Sequence, residues 1–492
     1  MTESIARSGR IILYATSPLS MAPSPVATPG TPQLVRGLGL FDATTLIVGS
    51  VIGSGIFVAP SIMAGYVQSP PLLLGLWLIG GALTLFGALA YGELAAALPR
   101  AGGQYVFLNE AFSPLWGFLY GWTFLVAINT GFVAAVAVAF AKYLGVFLPG
   151  ISEDATLFAL GRFRFTTAQA AGLVVIVAVT AVNVRGLRAG AFVQNVFTIA
   201  KVSGVAALVI LALASGKGSL AHLAPAGGPT LGPEGVKLGL FAAMAVAMSK
   251  ALFAYDAWNS ITFAAEEVKD PERNLPRSLL LGTVGVTLVY CTAVALYLYM
   301  VPISQMFAVK DNRIAAEAAS RALGPPGVAF IAGAILISTF GCVNGLTLAG
   351  ARVVYAMARD GLFFRSAAAV HPRFLTPARA LLLHGVVAAL LTLTGTYSDL
   401  ITLSAFSSLL FNILTVIGLF VLRRRRPDLH RPYRAWGYPV LPALYVLVAA
   451  FFLVYILIGD PRNSGLGLLL TAVGLPAYLY WQRKRETPAS LT

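Results

Sequence analysis

Between Phe41 and Tyr480 the chain passes through a series of apolar stretches, each roughly 20 residues long, with short polar breaks between them. A helix needs about 20 such residues to cross a hydrocarbon core of ~30 Å. A soluble fold could not hide this much apolar length, because only 11% of the residues are charged against roughly 25% in an ordinary soluble domain. In lipid every backbone N–H and C=O must be paired within the protein, which leaves helices and closed barrels. Stretches of this length read as helices. The expected fold is therefore all-α and integral to the membrane, with about twelve transmembrane helices near 41–65, 71–98, 113–148, 167–184, 190–214, 237–265, 278–301, 326–357, 379–396, 399–422, 438–458 and 464–482. Residues 36–485 then form one transmembrane domain. Residues 1–35 lack the basic start, apolar run and cleavage site of a secretory signal and read as a disordered cytoplasmic tail.

The net charge of +15 would point to nucleic acid in a soluble protein, but here it reports topology. With the N-terminus inside, the cytoplasmic stretches carry most of the basic residues, among them Arg100, Arg185, Lys269, Arg359, the Arg423–Arg426 run and Arg483, Lys484 and Arg485. The opposite loops carry only Arg162, Arg164, Lys217, Lys237, Lys310, Arg313, Arg321 and Arg462. That asymmetry places both termini in the cytoplasm. Lys142, Lys201 and Lys250 remain inside apolar segments, and the two cysteines, Cys291 and Cys342, have no metal-ligand spacing.

Two segments are interrupted. In the first, Gly49-Ser50-Val51-Ile52-Gly53-Ser54-Gly55 sets three glycines and two serines at mid-span. Packing glycines in membrane helices repeat every four residues; a spacing of two between Gly53 and Gly55 fits unwinding better. A helix broken at mid-membrane is tolerable only where it lines a polar cavity. The amides of Gly53, Ser54 and Gly55 can then hold a carboxylate at the positive end of a half-helix, and carbonyls near Val51 and Ile52 can hold an ammonium. The sixth segment carries Asp256 and Asn259 within Phe253-Ala254-Tyr255-Asp256-Ala257-Trp258-Asn259. Paired breaks at equivalent places in two halves point to a transporter site. The halves would be residues of about 41–214 and 237–396, in inverted topology, with two additional helices at about 399–482.

The runs Ile52–Phe57, Tyr91-Gly92-Glu93-Leu94, Phe253–Asn259, Glu266-Glu267 and Asn274-Leu275-Pro276 resemble the amino acid, polyamine and organocation transporter superfamily over about Leu38 to Pro432. The branch most similar is that of the L-type amino acid transporters, the light subunits of heteromeric exchangers, and their bacterial relatives. The resemblance implies a five-plus-five inverted-repeat fold, alternating access and substrate held by the main chain at the two breaks. On it, Val51, Gly53, Ser54 and Gly55 take the backbone of an amino acid, with Ile52 and Ala254 beside them, Phe253 closes the site toward the outside, and Asn259 shapes the second break. Lys201 occupies the place that a sodium ion holds in sodium-coupled relatives, with Ser338 and Thr339 as its candidate hydroxyl partners. Asp256 is open between recognising a cationic side chain and stabilising the unwound backbone, and proton coupling stays open with it. Lys250 departs from the pattern, and its role is open between pairing with an acid on another helix and facing the outer vestibule. Glu93, Glu266 and Glu267 fall at cytoplasmic helix ends, with Arg100, Lys269 and Arg273 close in sequence; ion-paired gating of the inner face is read for Glu266 and Glu267 only, and stays open against a solvated charge cluster.

The animal heteromeric members bond a glycoprotein through a cysteine in the loop after the third helix. The loop Gly150–Phe165 has none, so no disulfide-linked heavy-chain partner is expected. The four histidines, His222, His371, His384 and His430, are scattered and no nucleotide-binding loop is present, which argues against an enzyme or an ATP-driven pump; no catalytic residue, metal or cofactor is expected. The amide nest lacks a natural ligand in a polyamine, which favours amino acids. The expected function is sodium-independent secondary transport of L-amino acids across the cell membrane by exchange; the alternative is proton-coupled symport or uniport of cationic amino acids or polyamines. Substrate and surrounding membrane lipid are the expected partners, and nucleic acid is not.

Overall fold

A computed structural model describes residues 34–160, 163–224, 239–309, 312–394 and 397–486. Nearly all of the expected N-terminal tail, with Arg7 and Arg10, and also Arg162, Lys237 and Lys310, lie outside the described residues.

In chain order the first helices are α1 (Leu40–Val51), α2 (Gly55–Tyr66), α3 (Pro70–Ala97), α4 (Gln104–Ala111), α5 (Pro114–Thr123), α6 (Asn129–Leu144), α7 (Thr167–Val184) and α8 (Leu187–Ala214). They are followed by α9 (Leu240–Tyr255), α10 (Ser260–Phe263), α11 (Pro271–Met300), α12 (Ile303–Met306), α13 (Ile314–Leu323), α14 (Pro325–Arg359), α15 (Ala378–Thr394), α16 (Tyr397–Arg425), α17 (Val440–Gly459) and α18 (Pro461–Glu486). Pro70, Pro114, Pro271 and Pro325 stand in the first turns of α3, α5, α11 and α14, where a missing N–H costs no helical bond. Thr166 opens α7 with a reciprocal cap: it accepts the Gln169 amide at 3.3 Å, and the Gln169 side chain accepts the Thr166 amide at 2.9 Å.

Among the described residues, ten helical spans are long and apolar enough to cross a membrane. The shorter apolar helices α9 and α15, of 16 and 17 residues, fall at the two other expected positions. The chain is a multi-pass, all-α membrane protein. Among the described residues, strands are confined to one antiparallel pair, β1 (Thr156–Leu160) with β2 (Phe163–Thr166), in the loop that precedes α7.

Several features of the structure are absent from the helix pattern read in the sequence. The third span is not one uniform helix, because a π-helical turn at Phe124–Ile128 joins α5 to α6. α4 and α13 occupy stretches that read as connections; α13 buries Ile314, Ala315, Ala318, Ala319 and Ala322, a face whose alanines carry little hydropathic signal.

Packing sorts the helices into two groups. α1 and α3 lie against α11, and α2 and α3 against α9; separately, α14 packs on α6 and α8, and α15 on α6 and α7. α1 joins the groups through α8 and α14, while α16 packs on α6, α17 and α18. The interrupted helices belong to the first group and meet the second where α1 and α10 pack on α14.

Candidate functional site

α1 ends at Val51 because Ile52 turns to φ −74°, ψ 85° and the Gly53 amide closes onto the Val51 carbonyl at 2.8 Å. The helix resumes as α2 at Gly55. α9 ends at Tyr255, Asp256 is extended (φ −62°, ψ 171°), Ala257 takes the left-handed φ of 68°, and α10 begins at Ser260. Both segments expected to unwind therefore do so. The breaks touch: a Cβ on Gly55 would stand 2.6 Å from the Cβ of Ala254, and one on Gly53 would stand 2.8 Å from the Cys342 sulfur. Glycine at Gly55 is what lets two backbones approach this closely.

Between the breaks lies a cavity of about 20 Å³, room for roughly one water molecule. Of the residues singled out in the sequence, Val51, Gly53, Ser54, Gly55, Phe253, Ala254 and Asp256 line it. Ser50 and Ala257, from the same two breaks, and Phe132, Val136, Cys342 and Leu346 complete the wall; sequence reasoning passed over the last four because nothing marks an apolar residue or a lone cysteine as cavity-facing. The Phe253 ring rests on that of Phe132, with centroids 5.3 Å apart. The Asp256 carboxylate accepts the Ala257 amide within the unwound stretch at 2.6 Å. It also borders a second cavity of about 30 Å³, shared with Thr84, Trp258, Asn412 and Tyr445.

Ile52 and Asn259 do not line the first cavity. Asn259 donates to the Gln104 side chain at 3.1 Å, Gln104 to Asn412 at 3.3 Å, and the Tyr91 hydroxyl to the same Asn412 oxygen at 2.8 Å. The second break is thus tied to α4, α16 and α3. Ile52 contributes only its carbonyl, which accepts Lys201 Nζ at 2.8 Å and the Ser338 hydroxyl at 2.9 Å.

Lys201 is fully buried on α8 and donates three hydrogen bonds, to the carbonyls of Gly49 (2.8 Å), Ile52 (2.8 Å) and Ser338 (2.9 Å). An ammonium has three donors, so the head is saturated and does not snorkel. A lysine at such depth costs about 2.5–3.5 kcal/mol before it is paired, and three carbonyl dipoles offset that cost. Ser338 reaches the lysine through its carbonyl rather than its hydroxyl. Thr339 is not a partner; its hydroxyl returns to the Ile335 carbonyl of its own helix at 2.8 Å, as threonines in membrane helices do.

These contacts change the expected electrostatics of the first break. Both acceptor positions on Ile52 are filled from within the protein. The Val51 carbonyl receives the Gly53 amide and the Tyr290 hydroxyl, each at 2.8 Å. The carbonyls expected to meet an ammonium are therefore met by the protein's own donors, and the Gly53 amide is spent on the turn. What the break presents to the cavity is the start of α2, with its positive dipole end. Tyr290 of α11 also lies 2.8 Å from the Ala254 carbonyl. One hydroxyl hydrogen thus serves a carbonyl from each break, a role hidden in the sequence by an apolar surrounding.

At the arginine-rich end, the Glu267 carboxylate, fully buried, takes two bonds from Arg352 (2.7 and 3.1 Å), and Glu266 takes two from Arg359 (2.8 and 3.1 Å). Both arginines come from α14. Arg100, close in sequence to Glu93, pairs instead with Glu110, and Glu93 takes Arg423 at 2.9 Å and Arg431 at 3.3 Å. Main-chain bonds from Gly37 and Leu38 to the Glu267 carbonyl (2.9 Å each) and from Lys269 to Leu38 (2.8 Å) strap the entry of α1 to the segment after α10. Lys142 pairs with Glu153 at 2.6 Å at the end of α6. Lys250 comes within 3.5 Å of the Thr402 hydroxyl on α16. Cys342 donates to the Ser50 carbonyl at 2.9 Å, and neither cysteine is in a disulfide.

Residues 38–475 match the model of the amino acid permease family. The serine/threonine exchanger SteT of Bacillus subtilis is 30% identical over 92% of this chain and 98% of its own length. The large neutral amino acids transporter small subunit 2 of Homo sapiens is 32% identical over 92% of this chain and 82% of its own. The b(0,+)-type amino acid transporter 1 of Mus musculus is 30% identical over 88% and 84%.

Proposed function

The chain belongs to the amino acid permease family, whose members are carriers and not enzymes, and from that premise we propose that it is a sodium-independent exchanger of L-amino acids. It works in the cytoplasmic membrane by alternating access, with both termini and the arginine-rich end inside. It acts without a disulfide-linked heavy chain, and it takes no nucleic acid.

The observation that carries this reading is Lys201, bonded to carbonyls of α1, the first break and α14 at 2.8–2.9 Å. A fixed cation at that junction does what a bound sodium ion would do, so the coupling ion is unnecessary. The substrate carboxylate sits at Ser54 and Gly55, at the start of α2. Phe253 covers the site from outside, Asn259 holds the second break in shape, and the Glu266–Arg359 and Glu267–Arg352 pairs close it from inside. A cavity of about 20 Å³ is too small for any amino acid beside water, so binding requires the two helix groups to part, which is the motion alternating access supplies.

A second reading, uptake of cationic amino acids with proton coupling, is favoured by one observation: the Asp256 carboxylate lines the cavity. Both readings are tested by flux of a labelled amino acid into proteoliposomes. The assay runs a competition panel of unlabelled amino acids, with and without internal amino acid, a pH gradient and sodium. Flux that needs internal amino acid and ignores sodium and pH supports exchange. Flux that follows the pH gradient and is blocked by lysine supports the second reading, and dependence on sodium removes the role given to Lys201.

A further inference from the structure

Beyond Arg359 the chain turns at Asp360–Arg365 toward the last helix, and a groove of about 970 Å³ opens between this turn and the end of α18. Its floor is aromatic. Phe364 meets Trp481 edge-on with centroids 4.9 Å apart, and Phe363 and Tyr480 stand 5.9 and 5.2 Å from the same ring. Its rim is basic: Arg365, Arg483, Lys484 and Arg485 are exposed, and none of the described residues lining the groove is acidic. The Lys484 ammonium lies 5.6 Å from the Trp481 centroid, within reach of a cation–π contact. Pro476 and Leu479 extend the groove along α18 toward its apolar span.

Cations at the rim, aromatic rings beneath them and an apolar wall leading along a membrane-spanning helix fit a molecule with the same three layers. Basic and aromatic side chains of this kind gather at the headgroup level of a bilayer. A free aqueous anion would use the rim alone and leave Phe364, 56% exposed, and the Pro476–Leu479 wall without a counterpart. We propose that this groove binds a phospholipid with an anionic headgroup, its phosphate against Arg365, Lys484 and Arg485 and an acyl chain along Pro476 and Leu479. The groove begins two residues past Arg359, which pairs with Glu266, and the Arg485 stem lies 3.8 Å from where a Cβ of Gly361 would be. A lipid held there steadies the end of α14, the helix that supplies both arginines of the inner ion pairs.

The test is native mass spectrometry of the purified full chain, titrated with phosphatidylglycerol or phosphatidylcholine. The expected result is preferential retention of phosphatidylglycerol by the wild type. The triple variant R365Q/K484Q/R485Q should lose that preference by about a hundredfold, while R373Q/R379Q/R424Q, which removes the same charge from exposed sites outside the groove, keeps it. If the triple variant does not purify as a single species, Lys484→Gln alone should show a loss of about tenfold. Equal retention by the groove variant and wild type, or an equal loss in the control, overturns the proposal.

Discussion

The ammonium of Lys201 stands 2.8 Å from the carbonyl oxygen of Ile52, the first residue past the end of α1. A lysine on one helix thus terminates another helix, by donating to the backbone carbonyl that the break releases. Replacing it with alanine strands the Gly49 and Ser338 carbonyls without their donor. Lys201→Ala should lower exchange in proteoliposomes about tenfold or more, since hydrogen bonds to a charged group contribute about 1.5–3 kcal/mol each. It should also lower the melting temperature. Wild-type flux in this variant would remove the coupling role.

The glycines of the first break should differ in tolerance. A methyl at Gly55 meets the Cβ and backbone of Ala254, which cannot retreat, whereas one at Gly53 meets the Cys342 sulfur, a side-chain end that can rotate. Overpacking of this kind costs about 1–3 kcal/mol. Gly55→Ala should therefore cut transport about tenfold or more, and Gly53→Ala much less. Flux per unit of folded protein gives the ranking, and the reverse order would mean that the breaks do not meet in the working protein.

Asp256→Asn keeps an acceptor for the Ala257 amide and removes the charge. If the carboxylate reads the substrate side chain, inhibition by lysine and arginine should weaken about tenfold relative to alanine and serine. If it serves only the backbone, the competition panel should be unchanged.

The two inner ion pairs differ in burial and should differ in consequence. Glu267 and Arg352 are 0% and 1% exposed, against 24% and 28% for Glu266 and Arg359. Breaking a buried pair costs about 3–5 kcal/mol, so Arg352→Gln should express poorly and melt early. Arg359→Gln should fold and loosen the inner closure. In a Cys291→Ser background, Cys342 on the cavity wall then becomes a reporter: a membrane-permeant maleimide should label it faster in Arg359→Gln than in the parent. Equal labelling rates would deny that pair a gating role.

The first break was legible because glycines two residues apart cannot serve helix packing, and the second because Asp256 and Asn259 stand in an apolar run. Lys201 was legible for the same reason, as a charge at depth. Its partners were not, because two of the three, at Gly49 and Ile52, are backbone carbonyls with no side-chain signature, and the third comes from Ser338 by its carbonyl rather than its hydroxyl. Thr339 looked equivalent to Ser338, yet helical geometry turns it back on its own backbone. The arginines facing Glu266 and Glu267 lie 93 and 85 residues away, so proximity in sequence pointed to the wrong cations. Tyr290 and the π-helical turn at Phe124–Ile128 leave no mark in an apolar span, since both act through backbone geometry that hydropathy does not record.

The strap between Leu38 and the Glu267–Lys269 segment has a practical consequence. Because three main-chain bonds join the approach to the first break with the exit from the second, a spin label near residue 38 and one near residue 268 should report a single displacement with a single time constant. Distances measured from either to a fixed point on α7 would then be redundant, and one pair suffices to follow the cycle.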